Sequence, residues 1–236
     1  MPISTEKNFE EKFNLFKEWL TQQDNFTSKD MIITANESSL ASGFSNETFI
    51  FNIKEKNISK NYVLRLKPSN YQVFPEYNLK LQVDIMRCLY KKGFPAPNVI
   101  LYESNDDILG SEFYLMDFIN GEAPSDNPPY HMDPEGMVGK ASKDERRKIW
   151  TEWLNYLSQI HVLNIDEINL NILDDKYRNN DPIDIDISYY QNFLDWGMDG
   201  EDNPLCNDVI KWLRENKPKK HNALSLCWGD SRPGNI

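Results

Sequence analysis

Phe9, Phe13, Phe16, Trp19 and Leu20 recur at three- and four-residue spacing between Glu and Lys, a pattern that predicts an amphipathic helix packed on another element. Met31 to Thr34, Thr48 to Ile53 and Tyr62 to Leu66 are short runs rich in β-branched, aromatic and aliphatic residues. Separated by the polar stretches ESSLASGFSNE and EKNISKN, they predict three strands of an antiparallel meander. A second helix is expected to open at Pro75 and to carry Leu79, Val83, Met86, Leu89 and Tyr90 on one face. Gly93 and then Pro95 mark its stop. Asn98 to Tyr102 and Glu112 to Phe118 predict two more strands joined by the turn SNDDILGS.

The pattern changes after Gly121, where GEAPSDNPPYHMDPEGMVGKAS is too rich in Pro, Gly and Ser to be regular throughout. Ser142 and Glu145 have the spacing of a capping box, opening a helix whose apolar stripe is Ile149, Trp150, Trp153, Leu154, Leu157, Ile160 and His161. His161 on that stripe is expected to be a structural, satisfied buried imidazole rather than a base. Helical segments follow at Tyr189 to Trp196 and Asp208 to Glu215, then an apolar run, Leu224 to Trp228, that predicts a last strand before GDSRPGNI.

Composition narrows the functional classes. With 26 Lys and Arg against 37 Asp and Glu, the 236 residues carry a formal charge of -11, which disfavours nucleic acid and anionic membrane surfaces as partners. Cys88, Cys206 and Cys227 form neither a CxxC nor a Cys/His metal spacing, and three cysteines cannot all pair within one chain, so a reducing, cytoplasmic setting is expected. The first twenty residues have no secretory pattern, and no apolar run approaches the roughly 18 residues of a spanning helix.

The last residues carry the chemistry. Asp230 and Asn235 stand five positions apart in a loop after an apolar run, a spacing shared with the catalytic loop of kinase-fold phosphotransferases. A carboxylate that orients or accepts the proton of an attacking hydroxyl and an amide oxygen that holds Mg²⁺ on the phosphates suit one short rigid loop. Gly, Asp, Ser, Pro and Asn are also ordinary turn formers, and a plain turn is the alternative.

The stretches GFSNETF, YVLRLKP, GFPAPNVI, LGSEFYLMDFINGEAPSDNPPY and WGDSRPGNI, in order from Gly43 to Ile236, resemble the aminoglycoside phosphotransferase and choline kinase superfamily. Within it they resemble the branch of the kinase-like domain joined to some acyl-CoA dehydrogenases. The resemblance implies an α+β, protein-kinase-like two-lobed fold: an antiparallel-sheet small lobe over residues 1–117 with the leading helix, and a mainly helical large lobe over 118–236, truncated at its C-terminus. It implies ATP and Mg²⁺ as cofactors and transfer of the γ-phosphate to a hydroxyl of a small acceptor: an amino alcohol, a sugar or a hydroxyacyl-CoA.

By the same resemblance Asp230 is catalytic and Asn235 binds the metal. Gly43, Ser45, Asn46 and Thr48 form the turn over the ATP phosphates, and Arg65 is the phosphate-binding cation, with Lys67 on the same strand face. Met116 and Phe118 lie at the adenine-binding hinge. The residue aligned with the usual acidic partner of that cation is Gln82, so Glu76 or Asp84 substitutes or the pair is absent. The family's second metal-binding Asp lies downstream of the catalytic loop, beyond Ile236. The chain as given is therefore expected to be catalytically incompetent or very weak: either part of a kinase or a nucleotide-binding, vestigial domain.

Overall fold

The computed structural model describes residues 6–26, 30–35, 46–68, 72–165, 180–219 and 224–235. Its elements are α1 (Glu6–Leu20), β1 (Ile32–Ala35), β2 (Glu47–Glu55), β3 (Ile58–Leu66), α2 (Leu79–Lys91), β4 (Val99–Glu103), β5 (Phe113–Asp117), α3 (Met137–Lys140), α4 (Lys143–His161), α5 (Pro182–Met198) and α6 (Pro204–Asn216). Short 3-10 turns lie at Asp24–Phe26 and Pro233–Asn235. Two compact units result: residues 1–119 with 184–211, and residues 120–183 with 212–236.

The first unit is built on a five-stranded antiparallel sheet in the order β1-β2-β3-β5-β4. Strand alternation sorts its side chains onto two faces. Phe51, Ile53, Leu64, Leu66, Phe113 and Leu115 face Phe16, Trp19 and Leu20 of α1, with Phe13 partly buried against them, so the stripe read from the sequence is packed there from Phe13 onward; the side chain of Phe9 lies outside the described residues. The Trp19 indole N–H, 3.2 Å from Glu103 Oε2, is satisfied by it, and Lys12 pairs with Glu47 at 2.8 Å. The opposite face is covered by α2 through Leu79 and Val83, which pack with Val99 and Tyr114.

The helix α2 opens later than Pro75. Asn78 caps it, its side chain accepting from the Leu81 N–H at 2.8 Å, while the hydroxyl of Tyr77 engages the Val73 N–H at 2.9 Å and holds the preceding segment out of the helix. The stop at Gly93 is as the sequence suggests: φ is +84°, and the Phe94 N–H reaches back to the Leu89 carbonyl at 3.0 Å. Beta-strand structure is not formed at Leu224 to Trp228, which pairs with no strand among the described residues.

In the second unit Ser142 and Glu145 complete the capping box of α4: the Ser142 N–H donates to Glu145 Oε2 at 2.7 Å and the Glu145 N–H to Ser142 Oγ at 3.3 Å. The bond from the Ser142 backbone, seconded by its hydroxyl, holds the Glu145 carboxyl below its usual range. That contribution is present above the unfolded value and is lost as pH falls through the depressed folded one. Ser142→Ala removes the hydroxyl that caps the Glu145 N–H, and loss of such a side-chain cap is expected to lower unfolding free energy by about 1 kcal/mol at neutral pH. Urea denaturation at pH 7 and pH 3 should show the difference shrinking in acid. Tyr130 packs edge to face on Trp150 of this helix, and Trp150 on Trp153, whereas Leu154 and His161 of the expected stripe are exposed and not buried. Among the described residues no helix is long and apolar enough to cross a membrane.

Candidate active site

Two groups of the expected site residues can be followed. On the sheet face covered by α2, the register places Thr48, Arg65, Tyr114 and Tyr102 in one row across β2, β3, β5 and β4. Arg65 is half-buried, and its Nε is sealed from solvent without a hydrogen-bond partner. The Tyr114 side chain is fully buried, and its hydroxyl likewise has no partner. Burial pushes the Tyr114 phenol above its ordinary value near 10, and the adjacent Arg65 charge pulls partly against that rise. A cation and a hydroxyl are thus held side by side, with the Arg65 Nε left unpaired.

The helix α2 supplies no acidic partner to this arginine. Asp84 is engaged by Lys80, one turn before it, and Glu76 lies in the extended segment ahead of the helix. Gln82 stands in α2 with its N–H on the Asn78 carbonyl at 3.3 Å. Among the described residues, then, Arg65 has no salt bridge. Lys67 lies just past the end of β3, where its N–H bonds the Glu112 carbonyl at 3.1 Å.

Asn46 is buried at the entrance of β2, and its side-chain oxygen has no partner. Gly43 and Ser45 lie outside the described residues. Met116 sits on the α2-covered face, packed against the cluster of Leu79, Val83, Val99 and Tyr114. Phe118 follows the last residue of β5, and its N–H reaches the Asn61 carbonyl at 3.4 Å. Asp117 between them pairs with Lys60 at 2.7 Å.

Asp230 and Asn235 are brought into direct contact. The 3-10 turn Pro233–Asn235, closed by the Asn235 N–H on the Arg232 carbonyl at 2.9 Å, folds the amide of Asn235 back over the start of the loop. Its Nδ2 donates to Asp230 Oδ2 at 2.8 Å and to the Asp230 carbonyl at 3.0 Å. The amide nitrogen is thereby committed to Asp230, which turns the amide oxygen away from the carboxylate. A loop of Asp, Ser, Arg, Pro, Gly and Asn thus presents one carboxylate and one amide oxygen together.

Three residues in these contacts escaped the sequence reading. Tyr114 is one of several aromatic residues in an apolar strand, and its place beside Arg65 follows only from the pairing of β3 with β5. Arg232 and Asp126 join Asp230 in a further contact described below. Asp126 is 106 residues from Arg232 along the chain, and no spacing rule links them.

Comparison with known proteins bears on the family and the fold. The family model described as "Phosphotransferase enzyme family" matches residues 37–236. The human acyl-CoA dehydrogenase family member 11 is 28% identical over 200 residues, covering 82% of this chain and 23% of that protein. A probable acyl-CoA dehydrogenase of Arabidopsis thaliana is 25% identical over 207 residues, covering 84% of this chain and 24% of that protein. The chain thus spans about a quarter of the length of these curated relatives. Among solved structures, a putative aminoglycoside phosphotransferase from Ralstonia eutropha superposes with a TM-score of 0.61 at 19% identity, covering 95% of this chain and 59% of the other. An ethanolamine kinase of Plasmodium vivax follows at a TM-score of 0.51 and 14% identity, covering all of this chain and 65% of its own. The sheet, its two covering helices and the helices beyond are the α+β kinase-like fold of these neighbours, and the chain belongs to the phosphotransferase enzyme family.

Proposed function

We propose that this chain carries the nucleotide site of a Mg²⁺- and ATP-dependent small-molecule kinase, which moves the γ-phosphate of ATP to a hydroxyl group of its acceptor. The observation that carries the reading is the Asp230–Asn235 contact in the GDSRPGN loop, where a carboxylate and an amide oxygen are presented together.

The residues fit the cofactor. A polyphosphate would supply the anionic acceptor that Arg65 Nε lacks, and a forked guanidinium grips phosphate oxygens in pairs. Asn46 and Thr48, at the start of β2, would meet the phosphates from the turn that precedes it, and the backbone around Met116 and Phe118 would meet the adenine. On the loop, Asp230 would orient the acceptor hydroxyl and take its proton, and the amide oxygen of Asn235 would hold the metal. Mg²⁺, when bound, neutralises the charge that develops on the transferring phosphoryl group. Residues 1–117 would form the nucleotide lobe and the helices after them the acceptor side.

Two acceptor classes are in view. One neighbour is named an ethanolamine kinase, which fits an amino alcohol, and the curated relatives are named acyl-CoA dehydrogenases, which fits a hydroxyacyl thioester. Acid-rich stretches such as DWGMDGEDNP would favour the cationic amino alcohol through steering.

A thermal-shift matrix of Mg-ATP against amino alcohols and acyl-CoA esters tests the reading. Mg-ATP at about a hundredfold over its Kd is expected to stabilise the chain by about 2.7 kcal/mol, with less effect when the metal is chelated. Stabilisation by neither nucleotide nor any acceptor would overturn it.

A further inference from the structure

The loop that carries Asp230 and Asn235 is gripped from outside. The Arg232 guanidinium reaches two carboxylates, with Nη1 on Asp126 Oδ2 at 2.6 Å and Nε on Asp230 Oδ2 at 3.3 Å. The same Asp230 oxygen accepts from Asn235 Nδ2 at 2.8 Å, so one chain of contacts runs Asp126, Arg232, Asp230, Asn235. A planar guanidinium with a carboxylate on each side has little freedom to rotate, and its orientation is passed on to both acceptors.

The backbone opposite is shaped for the same contact. A Cβ on Gly234 would stand 2.8 Å from Asp126 Oδ2 and 3.0 Å from Oδ1, so the Asp126 carboxylate occupies the space that any other residue at 234 would fill. Asp126 itself is anchored in a turn, where it faces Pro129 in a backbone bridge. Two independent features of the loop, a bare backbone at 234 and a guanidinium at 232, thus receive one carboxylate from the segment after β5.

Fold stability does not account for this arrangement. Arg232 is 51% exposed, Asp126 49% and Asp230 70%, and ion pairs in such solvent contribute little to the unfolding equilibrium. What the contacts restrict is direction. Without Asp126, the guanidinium would be at liberty to fold onto Asp230 or away from it, and the Asp230 oxygen that holds Asn235 would lose its reference.

We propose that Asp126 is a positioning residue of the phosphotransfer loop, which acts through Arg232 to hold Asp230 and, through it, the metal-facing amide of Asn235. The inference rests on the phosphotransferase reading, and it differs from a direct phosphate-binding role for Arg232 in the sign of its consequence: an Asp126 that merely competed for Arg232 would weaken nucleotide binding, so its loss would tighten it.

The test is a double-mutant cycle on the whole chain, with Asp126→Asn, Arg232→Gln and their combination titrated calorimetrically with ATP in Mg²⁺ and in chelator. Each single change is expected to weaken affinity about tenfold in Mg²⁺ only, the low end for groups that orient a metal ligand. The combination should lose no more than Arg232→Gln alone, Asp126→Glu should restore most of the affinity, and Gly234→Ala should reproduce Asp126→Asn, all without a change in melting temperature. Additive losses, losses that persist without Mg²⁺, or tighter binding by Asp126→Asn would overturn the proposal. Should the unaltered chain bind no Mg-ATP, the phosphotransferase reading fails by itself, and hydrogen exchange of segment 229–235 decides about the grip. Equal and non-additive acceleration in the variants supports it; unchanged exchange overturns it.

Discussion

Phe16→Ala is expected to lower the unfolding free energy by about 3–5 kcal/mol, a large part of the 5–15 kcal/mol available to a typical domain. Phe16 has no exposed surface, and its ring meets Phe51 edge-on at 4.8 Å and lies 6.1 Å from Trp19 and 6.5 Å from Phe113, ring centre to ring centre. It is the residue through which α1 closes one face of the sheet, so truncation removes apolar burial and edge-to-face contacts together and leaves a void that strands on the other side cannot fill. Leu15, one position earlier and 43% exposed, is the control, and Leu15→Ala should stay within about 0.5 kcal/mol. Urea denaturation with an unchanged m-value checks both. Equal effects at the two positions would mean that α1 does not pack by the stripe described.

The elements of that packing were readable because each has a local cause. The period of Phe13, Phe16, Trp19 and Leu20 selects one helix face, the Ser142–Glu145 spacing satisfies two helix-terminal N–H groups, and Gly93 accepts a positive φ that other residues resist. Where local causes compete, the reading slipped. Pro75 is a good first helical residue, but Asn78 offers a side-chain acceptor at the right distance and the helix begins there instead. Leu224 to Trp228 has the composition of a strand, yet a strand is a pairing, and composition says nothing of the partner.

The candidate site divides along the same line. Asp230 and Asn235 are five residues apart, so their contact is a property of one short loop and is legible from it. The grip of Asp126 on Arg232 and the position of Tyr114 beside Arg65 depend on tertiary placement across long stretches of chain. Hydrophobic periodicity carries no information about them. An arginine in a half-buried strand was visible in YVLRLKP, but that it lacks an acidic partner could be decided only once Asp84 was found committed to Lys80.

Arg65→Met should therefore move stability and binding in opposite directions. The guanidinium Nε is buried without a partner, and replacing a half-buried charge with one such unpaired N–H by an apolar side chain of similar length is expected to raise stability by about 1 kcal/mol. With nucleotide present the same change deletes a charge-assisted bond to phosphate, so affinity for Mg-ATP should fall about 10- to 100-fold, the equivalent of about 1.5–3 kcal/mol. Arg65→Lys keeps the charge and loses the fork, and should lie between the two. A solvated strand arginine predicts neither effect, and a purely structural one predicts loss of stability, so denaturation and calorimetry on the same three proteins separate the cases. Opposite signs would mark Arg65 as a residue kept at a cost to the fold for the sake of an anion that the fold does not itself contain.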